Sequence, residues 1–152
     1  MLGHLEIARA TKKPAIIHCR GGRNPGQNAP AFFDLIRILK RERFTNAVVH
    51  CFSGDEAEAE ELVEMGLFLS FTGIVTYKNN GALRATIKKV VPLSRIMLET
   101  DCPYLTVEGK RGQPGEPAFI PSLAQTIADE KGVTLEEVAK VTTQNAENFF
   151  GI

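Results

Sequence analysis

The sequence predicts an α/β fold built on a parallel sheet, and two observations carry that prediction. Short apolar runs of strand length alternate with helix-length amphipathic segments through all 152 residues, as βαβ units do. Three of the four strand-like runs also end alike, in His18-Cys19, His50-Cys51 and Glu99-Thr100-Asp101-Cys102. The C-terminal ends of parallel strands are where enzymes of this class keep their chemistry.

The elements follow in order. A helical pattern over 2–10 leads to Pro14 and the run Ala15-Ile16-Ile17, a short buried strand. A Gly/Pro-rich loop from Gly21 to Pro30 precedes a helix with apolar Phe32, Phe33, Leu35, Ile36 and Leu39, then a strand at Ala47-Val48-Val49. Ser53 and Glu56 have capping-box spacing ahead of an acidic helix over 55–65, which Gly66 closes. That acidic run reads as a solvated face with Leu62 and Val63 turned inward. A third strand spans 67–71 and a helix spans 81–91, stopped by Pro92. Ile96-Met97-Leu98 starts the fourth strand, which extends to Glu99, and a long loop runs over 103–117. Two helices close the chain, the last opening with Thr134 and Glu137 as a capping box. Four strands and about five helices suit either a small open doubly wound sheet or half of an eightfold barrel.

Composition narrows the class. Hydrophobic content of 43% and charged content of 24% are globular values. The formal net charge is zero, so a phosphate-bearing partner is held locally rather than by a general field. Three cysteines without close pairing argue against a disulfide framework and for a reducing compartment. With no run of about 18 apolar residues and no signal-peptide pattern at the start, a soluble cytoplasmic domain without membrane contact is expected.

Two imidazoles and a carboxylate on neighbouring strands suit zinc, manganese or iron, and with water ligands magnesium. Because side chains alternate along a strand, ligands facing a common centre would turn Cys19, Cys51 and Cys102 toward the helices. His4 is expected on the surface of the opening helix.

These motifs are similar to those of a known family. Pro14-Ala15-Ile16-Ile17-His18-Cys19-Arg20, Val49-His50-Cys51-Phe52-Ser53-Gly54 and Leu98-Glu99-Thr100-Asp101-Cys102-Pro103-Tyr104-Leu105 resemble, in order, the last three motifs of the TatD-like metal-dependent deoxyribonucleases. The ending Thr143-Gln144-Asn145-Ala146-Glu147-Asn148-Phe149-Phe150-Gly151 resembles that family's C-terminal helix. The resemblance covers the whole chain as a single domain. It implies the C-terminal half of a TIM-type (β/α)8 barrel, strands five to eight, with four parallel strands and helices on the outer face. It implies His18, His50 and Asp101 as ligands of divalent metal (Mg, Zn or Mn, two ions in the full-length parent), with Asp101 also the catalytic general base. Arg20, Ser53 and Tyr104 are implied as substrate-binding residues, and DNA phosphodiesters as the substrate.

The family's His-x-His pair on strand one and glutamate on strand four are not in these residues, and Pro114-Gly115-Glu116-Pro117 stands where Arg-Asn-Glu-Pro is common. A complete barrel of this type takes about 250 residues. The chain is therefore expected to be a fragment that is poorly active alone. Its expected partners are the missing N-terminal half and, through open sheet edges, other copies of itself. The inward side chains would be Ile17, Val49, Phe71 and Leu98, or their alternates.

Other readings compete with this one. The fragment could be structural and inactive, or its parent could hydrolyse another ester or an amide. Residues 21–28 lie where a P-loop would, but Gln27 and Asn28 replace its lysine and Ser/Thr. No Gly-x-Ser-x-Gly elbow is present for a serine hydrolase. Basic residues of the rim loops (Arg20, Arg23, Lys78, Lys110, Arg111) fit phosphate attraction or chance surface placement.

Overall fold

The structure, a computed structural model, describes residues 1–21 and 31–152. The P-loop-like segment and Arg23 therefore lie mostly or wholly outside the described residues. The elements are α1 (Leu2–Thr11), β1 (Ala15–His18), α2 (Ala31–Glu42), β2 (Ala47–His50), α3 (Glu56–Glu64), β3 (Phe68–Phe71), α4 (Gly81–Val90), β4 (Ile96–Leu98), α5 (Ile120–Lys131) and α6 (Leu135–Phe150). The described residues thus contain six α-helices, each at a segment the sequence marks as helical, with short 3-10 turns at Gly73–Thr76, Leu93–Arg95 and Pro117–Phe119.

The four strands pair in parallel in the order β1-β2-β3-β4. A doubly wound sheet reverses its strand order at a switch point; the order here never reverses. Each connection carries a helix to the same side. Helices α2 to α6 pack in succession against one face of the sheet. The core forms there from Ala47, Val49, Leu69, Phe71 and Ile96 of the strands with Leu39, Leu62, Ile87, Leu123, Ile127 and Val138 of the helices.

Strand register fixes which residues share the other face. His18 lies opposite His50, Val48 opposite Phe68, and Ser70 opposite Met97. Period-two alternation then puts Ile16, His18, Val48, His50, Ser70 and Met97 on the face away from the helices. The alternates are correct: Ile17, Val49 and Phe71 point to the helices. Val48, Ser70 and Met97 are buried but lie outside the helix-side core. Ile16, expected to be buried, is 64% exposed because β1 is an edge strand among the described residues.

Three local expectations change. The N-cap of α3 is Asp55, not Ser53: its carboxylate accepts from the Glu58 amide at 2.9 Å while the Glu58 side chain accepts from the Asp55 amide at 2.9 Å. The chain cannot turn earlier because the Phe52 amide still donates to the Ser70 carbonyl of the sheet. Phe33 is exposed on α2, while Phe32, Leu35, Ile36 and Leu39 supply its buried face. The fourth strand ends at Leu98, so Glu99 and Asp101 lie in the loop beyond it. Gly66 follows the C-cap of α3 with φ +88°, as expected, and Thr134 caps α6 by accepting from the Glu137 amide, which is the Thr134 half of the expected box. His4 is exposed on α1.

Candidate active site

The sheet brings two of the histidines side by side. His18 and His50 are register partners at the C-terminal ends of β1 and β2, with ring centroids 5.7 Å apart. Asp101 reaches the same place from the loop after β4, with Oδ1 3.6 Å from His50 Nε2. A left-handed backbone at Asp101 (φ +55°) turns the chain at this point. His18, Arg20, Cys51, Ser53, Asp101 and Tyr104 line one cavity of about 380 Å³ at this rim. Every residue expected at the site is therefore in it or, for His50, beside it.

Glu99 is the residue that sequence reasoning passed over. Its Oε2 lies 2.8 Å from His50 Nδ1, and its Oε1 accepts from the Cys51 amide at 2.7 Å. An ionised carboxylate only accepts, so in the neutral ring Nδ1 carries the hydrogen and Nε2 presents its lone pair toward Asp101. The signal was available. Glu99 directly follows β4, two strands across the sheet from the His50 strand, and it stands on the same parity as Met97, on the face that carries His50.

The cysteines correct the simple alternation. Cys19 is buried, and burial pushes its thiol up to about 11. Cys51 is half-buried, with a left-handed backbone (φ +48°) that takes it off the strand's alternation, and both it and Cys19 border the site cavity. The Cys51 thiol is raised, chiefly by burial and then by the nearby Glu99 and Asp101 charges, against a lowering contact with Thr72 and the Arg20 charge. Cys102 is exposed in the loop. A thiol nucleophile needs a depressed pKa. Cys51 has the opposite.

The donor set suits a divalent ion in part. Two ligand atoms each about 2.0–2.1 Å from a tetrahedral zinc stand about 3.3 Å apart, close to the 3.6 Å between His50 Nε2 and Asp101 Oδ1. Among the described residues no three His, Cys, Asp or Glu side chains close around a common point. The residues therefore fit an ion as a pair, with His18 adjacent, and leave its remaining positions to other groups.

The loop that carries Asp101 and Tyr104 is held by two close backbone approaches. A Cβ on Gly73 would come within 2.1 Å of the Leu105 carbonyl oxygen, and one on Gly115 within 2.6 Å of the Tyr104 carbonyl oxygen. The Gly115 amide donates to the Pro103 carbonyl at 2.8 Å, and the Tyr104 amide to the Asp101 carbonyl at 3.0 Å. Only residues without a Cβ allow these contacts.

The family model described as TatD-related DNase matches residues 1–151. The chain belongs to that family. TatD-related relatives include the metal-dependent hydrolase YcfH of Escherichia coli K12, named as uncharacterized, which is 39% identical over 98% of this chain and 53% of its own length. YabD of Bacillus subtilis, named likewise, is 37% identical over 97% of this chain and 55% of its own length. A protein of Citrobacter rodentium named 3'-5' ssDNA/RNA exonuclease TatD is 32% identical over 97% of this chain and 55% of its own length. Among solved structures, the TatD homologue YJJV of Escherichia coli K12 superposes with a TM-score of 0.84 at 28% identity, covering 97% of this chain and 54% of that one. This TatD-family chain thus spans about half the length of the relatives it matches. None of its described helices is long and apolar enough to cross a membrane.

Proposed function

We propose that this chain forms the C-terminal half of a TatD-type (β/α)8 barrel and carries the His18, His50 and Asp101 part of a metal-dependent site that hydrolyses DNA phosphodiesters in the cytoplasm. The observation that carries the reading is the meeting of His50 Nε2 and Asp101 Oδ1, at 3.6 Å, beside His18 on the C-terminal rim of a non-reversing parallel sheet. The relatives' names, metal-dependent hydrolase and exonuclease, support the same class of chemistry.

His50 and Asp101, with His18, would hold a divalent cation (Mg, Zn or Mn), which supplies Lewis acidity and makes a water more acidic at neutral pH. Two such ions are expected in a full-length parent. Asp101 would orient the attacking water and take its proton. Glu99 would keep His50 in the tautomer that offers Nε2. Arg20, exposed at the mouth of the cavity, would meet phosphate oxygens with its planar fork, and Ser53 would border the bound strand.

The test is complementation. The chain alone should bind Mn²⁺ weakly and cleave a labelled oligonucleotide slowly. Adding an N-terminal TatD-family half, in trans or by fusion, should restore cleavage, and His50→Ala should remove it. Full activity from the chain alone, or restored cleavage that survives His50→Ala, would sink the reading. Cleavage by neither form would point instead to another ester, an amide or a structural role.

A further inference from the structure

Beside the site cavity lies a second cleft of about 520 Å³, lined by Tyr77, Pro103, Tyr104, Leu105, Arg111 and Pro114 among others. Tyr104 and Leu105 line both, so they form a partition between the two. Tyr104 is 70% exposed although its segment is tightly held. Its hydrogen bond back to Asp101 and the close approach to Gly115 keep it in register with the site carboxylate.

The far wall is built from a cation over an aromatic ring. The Arg111 guanidinium carbon lies 4.2 Å from the centre of the Tyr77 ring. Such a stack presents a flat, positively charged plane. Neighbouring Lys110 is drawn over Phe119 at 5.7 Å, and Lys78 and Lys110 are exposed near the same loops. Glu108 is turned toward the Lys78 amide, which donates to its carboxylate at 3.1 Å. An exposed phenol, two prolines and an arginine–tyrosine stack around an open cleft make a receptor for a planar, π-rich group on an anionic backbone. Proteins hold the bases of single strands by these means.

We propose that this cleft is a base-stacking subsite: one nucleobase of a single strand lies between Tyr104 and the Tyr77–Arg111 stack while its neighbouring phosphate lies at the Arg20–Asp101 rim. The proposal rests on the hydrolase reading above and adds where the strand is gripped. Tyr104 and Arg111 act on binding, with no part in proton transfer.

The experiment measures binding of a fluorescein-labelled thymidine octamer to the full 152-residue chain, with chelator present so that no turnover occurs. A second octamer has the same backbone with abasic sites throughout. Stacking is worth about 5- to 150-fold in affinity per base, so the wild-type chain should prefer the base-bearing strand by at least that lower figure. Tyr104→Ala should abolish the preference, whereas Tyr104→Phe should keep it within about twofold because the ring face is retained. Arg111→Ala should weaken the base-bearing strand more than the abasic one, and Arg111→Lys should not restore it. Circular dichroism melting of each variant checks that the exposed substitutions leave the fold intact. Equal binding of the two strands by wild type, with both weakened by Arg20→Ala, would overturn the subsite and leave the hydrolase reading standing. A preference that survives Tyr104→Ala would also overturn it. Binding of neither strand at tens of micromolar would likewise overturn the subsite, while the hydrolase reading stands or falls on the complementation test.

Discussion

Glu99 grips His50 and the peptide after it with separate oxygens, Oε2 at 2.8 Å from Nδ1 and Oε1 at 2.7 Å from the Cys51 amide nitrogen. One side chain thereby fixes both the ring of a proposed ligand and the left-handed turn at Cys51 that follows it. Groups that orient a ligating imidazole typically carry about 10- to 100-fold in metal affinity. Glu99→Ala should therefore lower Mn²⁺ or Zn²⁺ affinity by about that range. It should also cost about 1–3 kcal/mol of stability, because a half-buried amide loses its acceptor. Glu99→Gln keeps an acceptor for only one of the two partners and should fall between. Calorimetric metal titration with urea unfolding checks both parts; an unchanged affinity in Glu99→Ala would deny Glu99 any role in positioning His50.

The site was legible in the sequence to the extent that strand alternation carried it. His18 and His50 end strands that sit side by side in register, so each could be placed without coordinates. What alternation missed lies past the strand ends. Cys51, Asp101 and Leu105 have φ of +48°, +55° and +53°. Nothing about a Cys or Leu announces a left-handed backbone, and even an Asp adopts one only in a minority of cases; tertiary contacts impose it here. Asp55 with Glu58 has the same capping-box spacing as Ser53 with Glu56, so spacing alone favours neither. The hydrogen bond from Phe52 to Ser70 decided between them, and such a long-range restraint is invisible to local spacing.

The thiols should separate by position. Cys102 is exposed and should label at the ordinary rate, Cys51 more slowly, and Cys19 slowest. With its thiol at about 11, Cys19 is about one part in a thousand thiolate at pH 8, and its labelling should rise about tenfold per pH unit toward 11. The same shift is a stability statement. The folded state holds this proton more tightly, so the stabilisation is complete below about pH 9 and declines between 9 and about 11. Site-resolved mass spectrometry after brief iodoacetamide treatment tests the order. Rapid labelling of Cys19 in the native state would contradict its burial.

Gly73 sits under the loop that carries Asp101 and Tyr104. In Gly73→Ala the new methyl would occupy the space of the Leu105 carbonyl, 2.1 Å away. Backbone on both sides leaves no flexible side chain to yield, so the loop must move. Overpacking of this kind costs about 1–3 kcal/mol. The variant should unfold at lower denaturant and lose metal affinity together, whereas Gly3→Ala, with nothing within 4 Å of its Cβ, should change neither. Full metal affinity in Gly73→Ala would show that loop position does not set the site.

Self-association follows from the sheet's two outer edges. Among the described residues β1 pairs only with β2, and β4 only with β3, so the outer backbone of both strands is open to another chain. Next to the first edge, Ile16 is 64% exposed on the face away from the helices. Beside the last strand, Leu98, Ile120, Ala124, Leu135, Ala139 and Ala146 line an apolar groove of about 550 Å³. Covering apolar surface is worth about 25 cal/mol per Å², so a few hundred Å² buried between chains is a large share of the ~5–15 kcal/mol that holds a domain folded. In sedimentation velocity at tens of micromolar the chain should therefore run as a dimer or larger. Ile16→Lys, a charge of the kind that protects natural edge strands, should shift it toward monomer without loss of helical signal. An N-terminal half supplied in trans should compete with self-association, because it would occupy the same edges. A wild-type chain that stays monomeric and melts cooperatively at these concentrations would mean that the open edges are satisfied within the 152 residues, and the half-barrel reading would lose its physical basis.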